Sequence, residues 1–118
     1  MKITATIGAF FLLSLTAGLF AGEGETTVKG EIVDLSCYMT QGAHGKEHQQ
    51  CAQSCIERGI PMGLLTESGD VYLLLENHKQ KEAYETAKKH AAEIVEVTGP
   101  VSERGGVKAL RVDACSKS

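Results

Sequence analysis

Cys37, His48, Cys51 and Cys55 fall within 19 residues of one another, and they are the side chains best suited to chemistry in this chain. The segment 46–58 (KEHQQCAQSCIER) reads as a helix, with Cys51, Ala52, Cys55 and Ile56 recurring at helical spacing. On such a helix His48, Cys51 and Cys55 stand at i, i+3 and i+7 and share a face. Cys37, at the end of a preceding strand, can approach that face from outside. Three thiolates and one imidazole make a tetrahedral Cys3His site, suited to Zn²⁺ or, with sulfur dominating, Cu(I). Met39 and Met62 lie nearby in sequence, and a thioether ligand would favour copper. His44 would lengthen the stripe by a turn if the helix began early, but Gly45 stands against that.

Two other chemistries compete. The chain has 4 cysteines, and in an oxidising compartment an even count commonly means disulfides. A bridge between Cys51 and Cys55 within one helical turn is awkward, because both Cβ atoms must converge. The comfortable pairings therefore join Cys37 to one of them and Cys115 to the other, and the protein becomes a disulfide-stapled binding module with no metal. The third reading is a thiol–disulfide redox protein using Cys51 and Cys55. It ranks below the others, because a reactive thiol favours a helix N-terminus and the spacing is not Cys-x2-Cys. No Ser/His/Asp arrangement and no paired carboxylates are visible, which weighs against an enzyme. Glu31 and Asp34 read as solvated strand residues, and His78 and His90 as surface histidines.

The surrounding sequence must position this cluster. Residues 1–21 carry a single charge, Lys2, and an apolar run at 7–15, the pattern of a cleaved signal peptide. A periplasmic or secreted location follows, with no membrane contact after cleavage. The remaining 97 residues suffice for one core: a flexible lead-in at 22–27 and a single domain at 28–118. Without Lys2 the balance is 11 basic against 15 acidic residues, a charge that gives nucleic acid little to bind. The expected partner is a metal ion or a periplasmic protein, and the expected state a monomer.

Residues 28–35 read as a strand, and a Gly-containing loop leads into the helix, which Gly59 and Pro61 stop. Strands at 64–66 and 71–75 flank a turn at 67–70. Asn77 can cap a second helix reaching about residue 92, with Gln80 placed in capping-box fashion. Strands at 94–102 and 107–114 form a last hairpin. This order predicts a mainly β fold with two helices: an OB-like five-stranded Greek-key barrel with a helical insertion after the first strand. An α+β sandwich of the same elements is the alternative.

The run Gly30-Glu31-Ile32-Val33-Asp34-x-x-Cys37, a histidine in the loop (His44 or His48), and Cys51-x3-Cys55-x3-Gly59 resemble a group of small exported bacterial proteins of uncharacterised function with an OB-like fold. Val71-Tyr72-Leu73-Leu74 and Ile94-Val95-Glu96-Val97-Thr98-Gly99 resemble later strands of the same group. The resemblance covers most of the chain beyond residue 21. It implies the OB-like fold and groups Cys37, Cys51 and Cys55 as one unit. It implies no activity, and Cys115 falls outside its pattern.

Overall fold

The computed structural model describes residues 25–118. The expected signal segment at 1–21 and the first half of the lead-in lie outside the described residues. Among those described, no helix is long and apolar enough to cross a membrane.

Strand β1 (Thr26–Asp34) begins the fold, and helix α1 (Leu35–Gln41) follows it directly. A 3-10 turn at Lys46–His48 leads into helix α2 (Gln49–Glu57). Strands β2 (Met62–Leu65) and β3 (Val71–Glu76) form a hairpin, and helix α3 (Lys81–Lys88) comes next. Strands β4 (Ile94–Gly99), β5 (Val101–Arg104), β6 (Val107–Val112) and β7 (Ala114–Lys117) complete the chain. All strands join one sheet in the order β5-β6-β3-β2-β1-β4-β7. Every pairing is antiparallel except β3 with β6.

The mainly β expectation holds, and two of its details are corrected. The sheet is open, with β5 and β7 at its edges, and is not the expected closed five-stranded barrel. Seven strands stand where five were expected, because both late strands are broken. Pro100 has no N–H to extend the ladder and separates β4 from β5. Asp113 separates β6 from β7, its carboxylate taken by the Arg111 guanidinium at 2.7 and 2.9 Å and by the Asn77 amide at 2.7 Å. The two broken strands still meet across these points, where Arg111 N–H donates to the Pro100 carbonyl and Asp113 N–H to the Thr98 carbonyl. The second correction is a third helix. Residue 35, expected to end the strand, and residues 36–41, expected as loop, form α1, with Asp34 as N-cap and Gly42, in the left-handed conformation at φ 69°, as C-cap. Helix α3 is also shorter than expected. Asn77 caps a turn instead, accepting from Lys79 N–H, and Gln80 occupies the N-cap position.

The core lies between the sheet and the helices. Ile32, Leu64, Val95, Val97, Leu110 and Val112 are buried from the strands, joined by Ala52 and Ile56 of α2 and Ala87 of α3. The period-2 pattern of β4 (Val95 and Val97 in, Glu96 out) and the i, i+4 pair Ala52/Ile56 are the sequence signals that became this core. Burying a side chain such as Ile56 contributes about 2–3 kcal/mol, and it fixes α2 against the sheet. Gln49 and Gln53 add hydrogen bonds to the Ala91 and Lys88 carbonyls. Met62, the cross-strand partner of Asp34, also sits in this core at 0% exposure, and Met39 is exposed.

At Gly99 a Cβ atom would run into the Arg111 carbonyl oxygen at the break in the hairpin. Gly99→Ala is therefore expected to destabilise the fold by about 2–3 kcal/mol, the upper range for overpacking. A urea denaturation midpoint unchanged from wild type would show that the two strands do not approach so closely.

Candidate metal centre

The site begins with Asp34, the last residue of β1. It is the one buried charged side chain among the described residues, at 0% exposure. Its Oδ1 accepts from the Cys37 backbone N–H at 2.7 Å, which caps α1. Its Oδ2 lies 3.0 Å from Nε2 of His48. An ionised carboxylate only accepts, so Nε2 carries the hydrogen of this bond. Burial alone would raise the Asp34 pKa, but the Cys37 N–H, the His48 ring and the Cys37 thiol outweigh it and hold the group below the ordinary carboxylate range. The expectation that Asp34 is a solvated strand residue is overturned.

Cys37 stands in the first turn of α1. Its thiol is pushed up to about 11, first by its hydrogen bond to Asp34, then by burial and by the nearby Asp34 charge. Cys51 and Cys55 come from α2, one turn apart, with Cys51 exposed and Cys55 partly buried. The sulfur atoms of Cys37, Cys51 and Cys55 all lie within 4.8 Å of one another. Arg58, the C-cap of α2, directs its guanidinium to Cys55 Sγ at 3.5 Å.

His48 occupies a different place from the one expected. It is the N-cap residue of α2 and the last residue of the 3-10 turn Lys46–His48, so the α-helix begins at Gln49 and not at residue 46. It groups with Asp34 and Cys37, whose ligand atoms also lie within 4.8 Å of one another. The two groups share Cys37 and do not merge into one. His44 is elsewhere. Its Nδ1 lies 3.2 Å from Glu31 Oε1, while the Gly45 N–H donates to Glu31 Oε2 at 2.7 Å. Glu31, also read as solvated, is thus largely buried, its side chain 12% exposed. His44 and Glu31 line a cleft of about 830 Å³ together with Lys29, Tyr38 and Glu67, and no cysteine borders it. His90 is partly buried, with Nδ1 2.7 Å from Glu93 Oε2.

Cys115 is remote from the other thiols. It pairs with Val97, which pairs with Val28, six residues before Asp34 on β1. At 3.3 Å per strand residue that is about 20 Å, far beyond the 4.4–6.8 Å between Cα atoms that a disulfide spans. The proposed pairing of Cys115 with Cys51 or Cys55 therefore has no geometry to support it. Cys115 packs against the core instead, and burial raises its thiol pKa.

Sequence reasoning reached the three clustered thiols but missed Asp34. The signal was there: a cap-competent residue three before a cysteine, where a strand ends and a helix of the Leu35–Gln41 type begins. Compared with protein-family models, with curated proteins and with solved structures, the chain matches none.

With a pKa near 11, about one Cys37 side chain in a thousand is thiolate at pH 8, so its alkylation by iodoacetamide is expected to be slow and to rise only above pH 10. Asp34→Asn removes the adjacent charge and should bring that rise to lower pH. Peptide mapping that finds wild-type Cys37 alkylated at pH 8 as fast as an unperturbed thiol would refute the contact with Asp34. Asp34 also has a depressed folded-state pKa, so the stability it contributes is present above its unfolded value, near 3.9, and is lost as pH falls through the lower folded value. Asp34→Asn, which retains a capping acceptor, is expected to show a shallower loss of stability between pH 4 and 2.5, read from urea midpoints. Identical slopes would mean that the carboxylate is unpaired.

Proposed function

We propose that this protein is an exported metal-binding protein that holds Zn²⁺ or Cu(I) through the thiolates of Cys37, Cys51 and Cys55, for storage, delivery or sensing of the ion. The observation that carries the reading is the convergence of three sulfurs, from two separate helices, within 4.8 Å. Ligands of a tetrahedral ion at Zn–S distances near 2.3 Å lie about 3.8 Å apart, so the trio needs only a small contraction to close on an ion. Sulfur donors of this kind select Cu(I) and Zn²⁺ over hard cations. The low charge density and apolar run of residues 1–21 support export.

The disulfide alternative is weakened by arithmetic. Three clustered thiols accommodate one bridge and leave a thiol over, and the fourth cysteine is about 20 Å away along the sheet. A redox role finds Cys51 in the first turn of α2, but Cys55 lies a turn further in and the spacing is Cys-x3-Cys, not Cys-x2-Cys.

Because Cys51 is exposed, Cys51→Ser is expected to keep the fold and weaken metal binding at the trio by at least tenfold. Cys115→Ser should do the reverse, keeping the metal and lowering the melting temperature. Native mass spectrometry of protein purified without chelator, beside thermal melts, reads both. If Cys51→Ser leaves the metal content unchanged, or if the purified chain carries one disulfide and takes up no metal after reduction, the reading fails.

A further inference from the structure

The thiol trio leaves two potential ligands of the same region unassigned. Asp34 Oδ2 and His48 Nε2 face one another at 3.0 Å, and Cys37 Sγ completes a second group with them, all within 4.8 Å. We propose that Asp34, Cys37 and His48 form a second metal site, which takes a divalent cation of borderline character such as Zn²⁺ and shares the Cys37 thiolate with the first ion as a bridge. The inference rests on the metal reading of the trio and goes beyond it in ion count and donor set.

Three features support it. Ligands at 2.0–2.2 Å from a tetrahedral ion stand about 3.3–3.4 Å apart, so the Nε2···Oδ2 pair is already near the required edge, with a hydrogen in place of the ion. The donors are an imidazole, a carboxylate and a thiolate, a set that suits Zn²⁺ better than Cu(I). The positions are also set in advance. Asp34 ends β1 and caps α1 through Oδ1, which leaves Oδ2 directed at His48. The His48 side chain is 19% exposed, which gives an incoming ion, and a water as its remaining ligand, a route from solvent.

Charge favours two ions over one. A single divalent ion among three thiolates and the adjacent Asp34 carboxylate would leave two negative charges, one of them faced by the Arg58 guanidinium at Cys55 and the other on Asp34, which has no solvent to screen it. A second divalent ion at Asp34 compensates that buried charge. On binding, metal–sulfur, metal–nitrogen and metal–oxygen bonds form, while the thiol protons pass to the buffer and the neutral His48 ring carries its hydrogen on Nδ1, leaving the Nε2 lone pair for the ion. No oxidant or reductant takes part.

The test is Zn²⁺ titration of the reduced protein, followed by desalting and native mass spectrometry, with circular dichroism to confirm folding of each variant. Wild type is expected to retain two Zn²⁺ per chain. His48→Ala, which leaves the three thiols intact, should retain one, and so should Cys55→Ser. Cys37→Ser, which removes the bridge, should weaken both, with the apparent Kd of each rising at least tenfold. One Zn²⁺ in wild type, lost in His48→Ala and Cys55→Ser alike, would establish a single mixed site and overturn the inference while sparing the metal reading. Two ions retained in His48→Ala would place the second ion elsewhere and overturn it as well. No Zn²⁺ in wild type would overturn the inference, and failure to take up Cu(I) as well would remove the metal reading with it.

Discussion

A carboxylate without solvent exposure sits where the first strand ends, and the arrangement around it follows from what a buried charge requires. Left unpaired, Asp34 would be destabilising by several kcal/mol. The chain meets this with the N–H and thiol of Cys37 and the ring of His48. Each partner belongs to a different piece of the connection between β1 and β2: the first turn of α1 and the residue that starts α2. One side chain therefore joins a strand, a helix and a turn. The Cys37 thiol is placed by the helix that Asp34 caps, and the start of α2, which carries Cys51 and Cys55, is placed by the histidine that Asp34 holds.

The same connection is tied to β1 a second time. Glu31, three residues before Asp34, takes His44 and the Gly45 N–H. Residues 42–48 would otherwise be a glycine-punctuated loop of the kind that tolerates movement. Two carboxylate–histidine pairs, one on each face of the strand, hold it down. At its far end α2 is anchored by Ala52 and Ile56 in the core and by a turn in which Ile60 N–H donates to the Cys55 carbonyl just before β2. The candidate metal ligands thus lie on an irregular segment whose ends are fixed by sheet and core.

Burial is graded across the cluster. Asp34 is fully enclosed, Cys37 and Cys55 are partly covered, and Cys51 faces solvent. A site built this way has a rigid inner side and an accessible outer side. That suits an ion that must be captured or released more than one sealed into the fold, since structural zinc sites are closed. Cys115, packed on β7 against the core, takes no part and behaves as a small hydrophobe.

How much of this was legible in sequence depends on the range of the interactions. Nearest-neighbour physics was readable. The β-branched run of β1, the alternation in β4, the Ala52/Ile56 stripe and the Gly59–Pro61 stop gave the mainly β fold and the α2 helix, and the spacing of Cys37, Cys51 and Cys55 gave the clustered thiols. Local chemistry misread where two rules competed. Asp34 was assigned to the strand it ends and not to the helix it caps, which hid α1, and Pro100 and Asp113 broke strands that periodicity ran straight through. What no local pattern contains is register. Only the pairing of β1 with β4, and of β4 with β7, sets Cys115 at the Val28 end of β1, about 20 Å along that strand from Asp34. Only the folded chain brings His48 back 14 residues onto Asp34. The sequence determined which side chains could bind a metal. The tertiary structure decided which of them share a centre, because a buried charge must find its partners through space and not along the chain.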